Sequence, residues 1–429
     1  MSARVAVVGA GWAGLAAAVT LTQQGHAVVL HEMAPAAGGR ARRLETADPQ
    51  LPGLDNGQHI AIGAYRATLG MLATLGVDAD AAFRRMPLAL VDARGDGLVL
   101  GSGRTDLAFA RAVLGRRAWT WRERLALLAA AVRWQWSGYS CAPGATVDDL
   151  VAGLPPRVRR DVIEPLCVAA LNTASREASG AVFLRVLRDA FDEPGGADLL
   201  LPSTDLSALV VDPALAWLQA RGADVRLGSR VRGLAIDGDG TGWRVDGEAA
   251  RSVVLACTST EAARLAAPHA PAWAERAKAF AHEPIVTVYA ASAGTHLPRP
   301  MLQLASDTTS RPAQFVFDRG ALGGPAGLLA FVVSGARPWV ERGIAATEAA
   351  VVAQASAALS GLLQAPLVVA RTVVEKRATF RCVPNLDRPP AAIASGLIAA
   401  GDYVEGPYPS TLEGAVRSGV AAAALATAA

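Results

Sequence analysis

Three glycines near the N-terminus, followed by one glutamate, have the spacing of a turn that binds a dinucleotide. The glycines are Gly9, Gly11 and Gly14, in a G-x-G-x-x-G pattern, and the acid follows 18 positions after the last of them, at Glu32. In such a turn the first glycine allows a tight bend, the second lets the backbone approach a pyrophosphate, and the third lets a helix pack closely on a strand. The acid would accept hydrogen bonds from a ribose hydroxyl. These residue types at this spacing predict a dinucleotide-binding site.

The sequence around this motif predicts the elements that must position it. An apolar run of strand length covers residues 4–9, a helical run follows over 15–24, and a second apolar strand covers 27–30. The N-terminus of the helix would present unpaired N–H groups and the positive end of its dipole to phosphate groups. This strand–helix–strand order predicts a Rossmann-like α/β domain, and the alternative is a glycine-rich turn in an ordinary α/β domain.

Composition and charge exclude several classes of protein. The chain has 429 residues, of which 52% are apolar and 18% charged, which predicts a globular protein of two or three domains. The 41 basic and 38 acidic residues leave a net charge of +3, too balanced to predict nucleic-acid binding. The four cysteines form no CxxC pair and the six histidines no HExxH motif, so we expect neither disulfides nor a metal site. We expect a cytoplasmic protein without a membrane-spanning helix, because no run of 18 apolar residues occurs.

Two further motifs, one towards each end of the chain, carry a resemblance to a known family. Residues 38–43 read GGRARR soon after the second predicted strand, and an apolar strand at 397–400 runs into Gly401 and Asp402. Together with the glycine motif, they resemble the FAD-binding signature of the amine oxidase and phytoene desaturase superfamily. The resemblance implies an α/β fold, with a Rossmann-like FAD-binding domain of the amine oxidase type and a discontinuous substrate domain of mixed sheet and helices.

The resemblance implies that FAD is bound without a covalent link by residues from both ends of the chain. Gly39 and Arg40 would lie near the phosphate and the edge of the flavin ring, where a planar, permanently charged guanidinium can bridge phosphate oxygens. Gly401 and Asp402 would lie against the ribityl and pyrophosphate groups. The alternative for this basic loop is a solvated surface segment.

Three more positions are implied to contact the cofactor. Gln58 would lie beside the isoalloxazine ring, and the backbone of Val231 would contact the adenine edge. Leu412 lies in a segment, 410–413, that reads STLE and fits a capping box at the start of a helix. The N-terminus of that helix would favour negative charge on the reduced flavin ring. The alternative is an ordinary capped helix.

The implied domain organisation divides the chain into five segments. The FAD-binding domain would combine residues 1–75, 201–275 and 386–429. The substrate domain would combine a helical part, 76–200, with a sheet part, 276–385.

Several short segments narrow the resemblance to the hydroxysqualene dehydroxylases. They are DNGQH at 55–59, LPSTDL at 201–206, EKRATF at 375–380 and EGPYPS at 405–410. The implied reaction is the reductive removal of an allylic hydroxyl from hydroxysqualene, which gives squalene and water in squalene and hopanoid biosynthesis. The implied substrate is a lipophilic isoprenoid, and squalene-pathway synthases are the expected functional partners.

This reaction needs a group that protonates the leaving hydroxyl or orients water. The candidates are His59, Asp55 and Tyr408, and each has a structural alternative. His59 would instead hydrogen-bond the flavin, Asp55 would cap a turn, and Tyr408 would pack on the flavin ring.

Other functions fit the same motifs. A carotenoid-type desaturase would oxidise its polyene rather than reduce it. A flavin amine oxidase would need an aromatic cage for the amine, which the sequence does not reveal. A non-catalytic FAD-binding partner of terpenoid synthases is the alternative from a different class.

One basic, tryptophan-rich region predicts contact with a membrane surface. Residues 101–137 contain seven arginines, two acids and four tryptophans. Tryptophans beside an apolar run, together with arginines, are typical of segments that dock in a lipid interface. We therefore expect peripheral contact through 116–136 with the inner face of the cytoplasmic membrane. The alternative is that these tryptophans line the core or the substrate channel.

Overall fold

Two large sheets organise the protein, one mainly parallel and one antiparallel. The computed structural model describes residues 4–45, 51–101, 103–192, 194–238, 240 and 242–428. The outer ends of the first and last predicted segments, residues 1 and 429, lie outside the described residues, and the predicted domain boundaries stay a prediction. In the part of the chain that is described, no helix is both long and apolar enough to cross a bilayer.

The strands, in chain order, are β1 (Val5–Val8), β2 (Val28–His31), β3 (Ala61–Ile62), β4 (Phe83–Met86), β5 (Ala89–Val91), β6 (Gly97–Val99), β7 (Leu199–Pro202), β8 (Asp224–Arg226), β9 (Leu234–Ile236), β10 (Trp243–Val245), β11 (Glu248–Ala250), β12 (Ser252–Leu255), β13 (His282–Ala291), β14 (Met301–Gln303), β15 (Phe315–Asp318), β16 (Leu328–Val333), β17 (Val368–Phe380), β18 (Ala392–Ala394) and β19 (Leu397–Ala399).

The helices, in the same order, are α1 (Trp12–Gln23), α2 (Arg66–Thr74), α3 (Ala79–Ala82), α4 (Thr105–Gly115), α5 (Trp121–Trp136), α6 (Val147–Leu150), α7 (Pro156–Val158), α8 (Glu164–Leu171), α9 (Gly180–Phe191), α10 (Asp212–Gln219), α11 (Ser259–Ala266), α12 (Pro271–Lys278), α13 (Arg337–Arg342), α14 (Ile344–Ala358) and α15 (Leu412–Ala428). Two π-helical segments, Arg159–Ile163 and Ser207–Val211, lead into α8 and α10, and a short 3₁₀ turn covers Gly320–Leu322.

The first sheet brings distant parts of the chain together. Its order is β18-β19-β12-β1-β2-β8, and all pairs except β18 with β19 are parallel. The central strand β1 is apolar and buried at every position, which is typical of a parallel sheet covered on both faces. Val5 and Val7 pack in one core cluster with α1 and α15, whereas Ala6 and Val8 pack in another with Trp243. The predicted Rossmann-like fold class is confirmed.

One predicted strand is shorter than expected. The apolar pattern of residues 231–236 is typical of a strand, but β9 begins only at Leu234. The N–H groups of Arg232 and Gly233 instead donate to the carboxylate of Asp246. Because a side chain takes these two backbone donors, they are not available to a sheet ladder.

The second sheet is antiparallel and carries helices at its side. Its order is β14-β15-β16-β13-β17, and all six residues of β16 are buried. Residues 76–200 supply most of the helices beside it, α3–α9, but they also contain the strands β4–β7. Buried side chains of α5, α8 and α9 share a core cluster with side chains of this sheet. The space between sheet and helices is where the cavity described below lies.

The C-terminal helix α15 closes the parallel sheet. It packs against α1, and a Cβ atom at Gly419 would overlap the carbonyl oxygen of Ala13, so only glycine allows this close crossing. The capping box predicted at 410–413 is wrong. Thr411 caps the helix by accepting from the Gly414 N–H at 2.9 Å.

Glu413 has a different function from the one the capping box implies. Its fully buried carboxylate accepts from the N–H groups of Ala67 and Thr68 at 3.0 and 2.9 Å, and from the Thr68 hydroxyl at 2.8 Å. Arg417 donates to the same carboxylate at 2.6 Å. The N-cap residue of α2 forms no hydrogen bond through its side chain to the first turn of the helix. The carboxylate of Glu413, near the other end of the chain, therefore accepts from N–H groups that would otherwise lack a partner at the start of α2.

Replacing this carboxylate should destabilise the fold. We expect Glu413→Ala to lower the free energy of unfolding by about 3 kcal/mol, because it leaves buried donors without a partner. The measurement is urea unfolding of the holoprotein followed by far-UV circular dichroism. Glu341→Ala, at an exposed glutamate, is the matched control. Equal stability of the two variants would contradict the assigned role of Glu413.

Candidate active site and cofactor cleft

A continuous cavity of about 1430 Å³ runs from the edge of the parallel sheet into the helical region. At one end it is lined by backbone and polar groups of the predicted nucleotide-binding motifs. The other end is an apolar chamber, whose lining includes Phe109, Leu127, Ile163, Leu166, Phe183 and Phe191. One cavity can therefore hold a polar nucleotide and an apolar molecule end to end.

The glycines of the first motif form a tightly packed cradle with one open side. Gly9 has φ +106°, and a Cβ atom there would lie 2.6 Å from the Ala256 carbonyl oxygen. At Gly14 a Cβ atom would overlap the Gly9 carbonyl oxygen. At Gly11, in contrast, it would meet only the Cα of Gly39, at 4.0 Å. Gly9 and Gly14 thus hold strand and helix together, and Gly11 leaves room for a phosphate.

The groups that face this open side suit a nucleotide. Gly11 caps α1 without a side-chain hydrogen bond, so the start of the helix is open to an anion. Glu32 accepts from the N–H groups of Ala10 and Ala34 at 2.7 and 2.9 Å, one on each carboxylate oxygen. Each oxygen keeps a further lone pair that can accept from a ribose hydroxyl.

Arg40 and Asp402 come from opposite ends of the chain and form an ion pair. Their Nη2 and Oδ1 atoms are 2.6 Å apart, and both residues line the cavity. The attraction of Asp402 raises the pKa of Arg40. Arg40 also donates to the Ala378 carbonyl at 2.9 Å, which ties it to β17. The pair joins the nucleotide half of the cavity to the antiparallel sheet.

The other predicted cofactor residues also line the cavity. They are Gln58, Val231, Gly401 and Leu412. The side-chain Oε1 of Gln58 accepts from Arg319 at 3.1 Å, and the backbone carbonyl of Val231 accepts from Arg264 at 2.8 Å. These bonds fix the orientation of both residues beside the cleft.

His59 lines the cavity in a form that does not donate a proton into it. Its Nδ1 lies 2.8 Å from the Gly57 carbonyl oxygen, which only accepts, so Nδ1 carries the hydrogen. Burial lowers the pKa of the ring, and the neutral tautomer then presents Nε2 as an acceptor. His59 can orient a hydroxyl or a water molecule, but it is not suited to protonate a leaving group.

Asp55 lies behind the cavity rather than in its wall. Among the described residues that line the cavity it is absent, and its carboxylate accepts from the Leu206 N–H at 2.9 Å. Burial raises its pKa to about 7. The carboxylate thus links two segments of the chain, which fits the structural alternative, and a catalytic role of Asp55 stays a prediction.

Of the three predicted candidates, Tyr408 has the surroundings that best suit a proton donor. It lines the cavity, as does Asp189. The guanidinium carbons of Arg185 and Arg417 lie 5.3 and 4.5 Å from the centre of its ring. Burial and Asp189 raise the pKa of the hydroxyl, which is therefore protonated at rest. We call Tyr408, Asp189, Arg185 and Arg417 the tyrosine cluster.

Asp189 is ionised within this cluster. Burial raises its pKa, but Tyr408, Arg185 and Arg188 together outweigh burial, and the net pKa is lower than usual. Arg185 donates to it at 2.7 Å. The sequence analysis missed Asp189, which lies on α9 outside every motif. The only signal was its spacing, since Arg185 precedes it by four positions on one helix face.

Two further cavity residues were missed by the sequence analysis. Within the described part of the chain, the buried hydroxyls of Tyr403 and Thr287 have no hydrogen-bond partner. Both residues line the cavity. Buried polar groups without partners are rare, so both hydroxyls are suited to bind a ligand.

The chain matches the family described as flavin containing amine oxidoreductase over residues 12–427. The chain belongs to this family. The hydroxysqualene dehydroxylase of Rhodopseudomonas palustris is 30% identical to it, over 100% of this chain and 99% of the relative. That of Sinorhizobium fredii is 29% identical over 99% of each. The crystal structure of cyclohexylamine oxidase from Brevibacterium oxydans has a TM-score of 0.70 at 17% identity, covering 100% of this chain and 99% of that one.

Family membership identifies the class of cofactor that this protein uses. The protein is a flavin-dependent oxidoreductase, and the predicted resemblance to the hydroxysqualene dehydroxylases is confirmed. The open space beside Gly11, the uncapped start of α1 and the unpartnered Tyr403 hydroxyl together fit a flavin nucleotide. The individual contacts predicted for each residue stay predictions.

Filling the open side of the cradle should remove the flavin without unfolding the chain. We expect Gly11→Ala to lower the flavin content of the purified protein roughly tenfold or more, because the added methyl group occupies the space for phosphate. The measurement is flavin absorbance per mole of protein, with the melting temperature as a check on folding. Gly70→Ala, in an exposed helical site with open space, is the matched control. Full flavin content in Gly11→Ala would contradict the placement of the phosphate.

Proposed function

We propose that the protein is an FAD-dependent hydroxysqualene dehydroxylase, which converts hydroxysqualene into squalene and water in squalene and hopanoid biosynthesis. The observation that carries the proposal is the single cavity, which leads from a nucleotide cleft past the tyrosine cluster into an apolar chamber. A polyene alcohol has the matching distribution of polarity, with one hydroxyl on a long hydrocarbon. The curated relatives that cover the whole chain carry the same name.

FAD is the flavin that the cleft suits best. Glu32 at the end of β2 is placed to accept from a ribose, and Val231 lines the same half of the cavity. FMN has no adenosine half that would need these residues. When bound and reduced, FAD supplies a hydride equivalent to the carbon that loses its hydroxyl.

The tyrosine cluster would handle the hydroxyl group. Tyr408 donates its proton to the leaving oxygen, so the C–O bond breaks, water leaves and the phenolate remains. Arg185 and Arg417 stabilise that phenolate, because both guanidinium groups lie within 5.3 Å of the ring centre. Asp189, held by Arg185 at 2.7 Å, would accept from the Tyr408 hydroxyl and orient it before transfer. His59 would orient the hydroxyl through its acceptor Nε2.

The apolar chamber would hold the rest of the substrate and exclude water. Its wall combines α4, α5, α8 and α9 with the strands β13, β15 and β16. A dry site strengthens the interaction of the cluster with the hydroxyl and protects an allylic cation from water. A squalene-pathway synthase would supply the hydroxylated C30 substrate.

Two alternatives are less well supported by the geometry. A polyene desaturase would use the apolar chamber, but it has no need of a proton donor at the cofactor end. The resemblance implies that flavin amine oxidases keep a lysine near the flavin, and Lys376 is the candidate for that position in this chain. Lys376 is exposed, whereas its neighbours Glu375 and Arg377 line the cavity.

A single-turnover experiment tests the proposal. Dithionite-reduced holoprotein is mixed anaerobically with hydroxysqualene, and flavin absorbance and squalene are followed together. We expect one squalene per flavin reoxidised. Tyr408→Phe should slow the reaction roughly 100-fold or more at unchanged flavin content, because the proton donor is lost. Tyr139→Phe, at another tyrosine of the cavity wall, is the matched control.

The dependence on pH separates the two candidate donors. A histidine donor would lose activity as the pH rises through the lowered pKa of His59, because only the protonated ring can donate. Tyr408 has a raised pKa and stays protonated, so the rate should be constant from about pH 6 to 9. Reduced flavin that persists beside unchanged substrate would contradict the proposed function. A rate that falls with rising pH would contradict the assignment of Tyr408.

A further inference from the structure

The outer side of α5 carries large apolar side chains that face solvent. Trp121, Leu125, Val132 and Trp136 are 63%, 58%, 45% and 87% exposed. They are separated by four, seven and four positions, which places them on one side of a helix with 3.6 residues per turn. Single exposed apolar residues are common, but an aligned set with two exposed tryptophans marks an interaction surface.

This outer stripe is not needed for folding. The inner side of α5 already provides Leu127, Ala130 and Trp134 to the core. The neighbouring helix α4 packs against α5 and adds two exposed leucines, Leu107 at 47% and Leu114 at 40%. We call the six exposed apolar residues of the two helices the α4–α5 face.

Unpaired positive charge surrounds the α4–α5 face. Exposed arginines on or between the two helices have no carboxylate partner among the described residues, namely Arg111, Arg117, Arg122 and Arg133. Other arginines of the same region are paired, as Arg104 is with Asp106 and Arg116 with Asp161. Arginines beside tryptophans complement anionic lipid headgroups at the level where tryptophan rings sit.

The cavity opens on the same side of the molecule. Leu107 and Val132 belong to the α4–α5 face and also line the cavity. Arg104, Gln135, Asp192 and Pro194 are further exposed lining residues in this part of the wall. A second group of exposed lining residues, Met33, Arg230, Thr258 and Arg377, lies at the nucleotide end. The cavity therefore has an apolar mouth that is separate from its nucleotide end.

We propose that the α4–α5 face docks on the surface of an anionic bilayer, and that the apolar mouth takes up the polyene directly from the lipid. Docking would place Leu107 and Val132 at the acyl boundary, so a lipid-dissolved molecule would enter the chamber without crossing water. The identity of that molecule rests on the proposed function, whereas docking itself does not.

A second copy of the chain fits this surface less well than a membrane. A two-fold contact places the same patch on both sides of the interface. Residues 101–137 contain seven arginines and two acids, so such a contact would bring like charges together. An anionic membrane can contact the apolar stripe and, at the same time, pair its negatively charged headgroups with the arginines.

Flotation of the holoprotein on vesicles tests the proposal. Vesicles of phosphatidylglycerol and phosphatidylcholine in equal parts should carry the protein upward, whereas pure phosphatidylcholine should carry much less. Leu125→Ser with Trp136→Ser should lower the partition coefficient roughly tenfold or more. Arg122→Gln with Arg133→Gln should lower it roughly tenfold on anionic vesicles only. The control for the apolar pair is Ile344→Ser with Val368→Ser, which changes two exposed residues elsewhere.

Three outcomes would overturn the proposal. They are the absence of flotation on anionic vesicles, equal flotation of the face variants and the control, and a face variant that converts a dimer into a monomer while flotation stays unchanged. Flavin content shows whether each variant has folded. A protein that floats but forms no squalene would contradict the proposed function and leave the docking surface intact.

Discussion

Parallel pairing of β1, β12 and β19 is the constraint on which the site depends. These strands come from residues 5–8, 252–255 and 397–399, and hydrogen bonding aligns their carboxyl ends at one edge of the sheet. The residues that follow the strands, Gly9, Ala256 and Gly401, all line the cavity there. Ligands of open α/β sheets bind at this edge, because the connecting loops separate there. The nucleotide cleft is thus a consequence of strand order.

Two contacts between residues far apart in the sequence connect this edge of the parallel sheet to neighbouring elements of the protein. The ion pair of Arg40 and Asp402 spans 362 positions of the sequence and, through Ala378, reaches the antiparallel sheet. The carboxylate of Glu413 joins α15 to the start of α2. Both contacts are between charged and hydrogen-bonding groups that would be costly to bury alone. They tie the nucleotide end of the cavity to neighbouring elements, and under the proposed function cofactor and substrate would meet near Tyr408.

Burial and position separate the three predicted proton donors. Burial holds His59 in its neutral form, whereas Asp55, whose pKa burial raises to about 7, is absent from the described residues that line the cavity. Tyr408 is also shielded, but two guanidinium groups lie at its ring, and they would compensate the charge that forms if the proton leaves. His59 and Tyr408 therefore differ in their electrostatics, and Asp55 differs from both in its position.

Local patterns allowed the nucleotide-binding half to be predicted, and long-range contacts explain what the sequence analysis missed. The positions of Gly9, Gly11, Gly14 and Glu32 follow from the spacing within one strand–helix–strand unit. Gly9, Gly11 and Glu32 line one end of the cavity, and Gly14 packs behind Gly9.

Residues whose contacts could not be predicted have partners far away in the sequence. Glu413 caps a helix about 345 positions away instead of its own, and Asp55 bonds to Leu206, 151 positions away. Asp189 belongs to no motif, and its role depends on how α9 packs beside Tyr408. No spacing rule could supply that contact.

The most direct test of this account is a crystal structure of the oxidised holoprotein with hydroxysqualene bound. Oxidised flavin cannot reduce the alcohol, so the substrate stays intact. The account predicts the hydrocarbon in the chamber of α4, α5, α8 and α9, with its oxygen within hydrogen-bond distance of the Tyr408 hydroxyl and the carbinol carbon beside the flavin ring. A hydroxyl at the outer mouth, or a polyene bound outside this cavity, would contradict it.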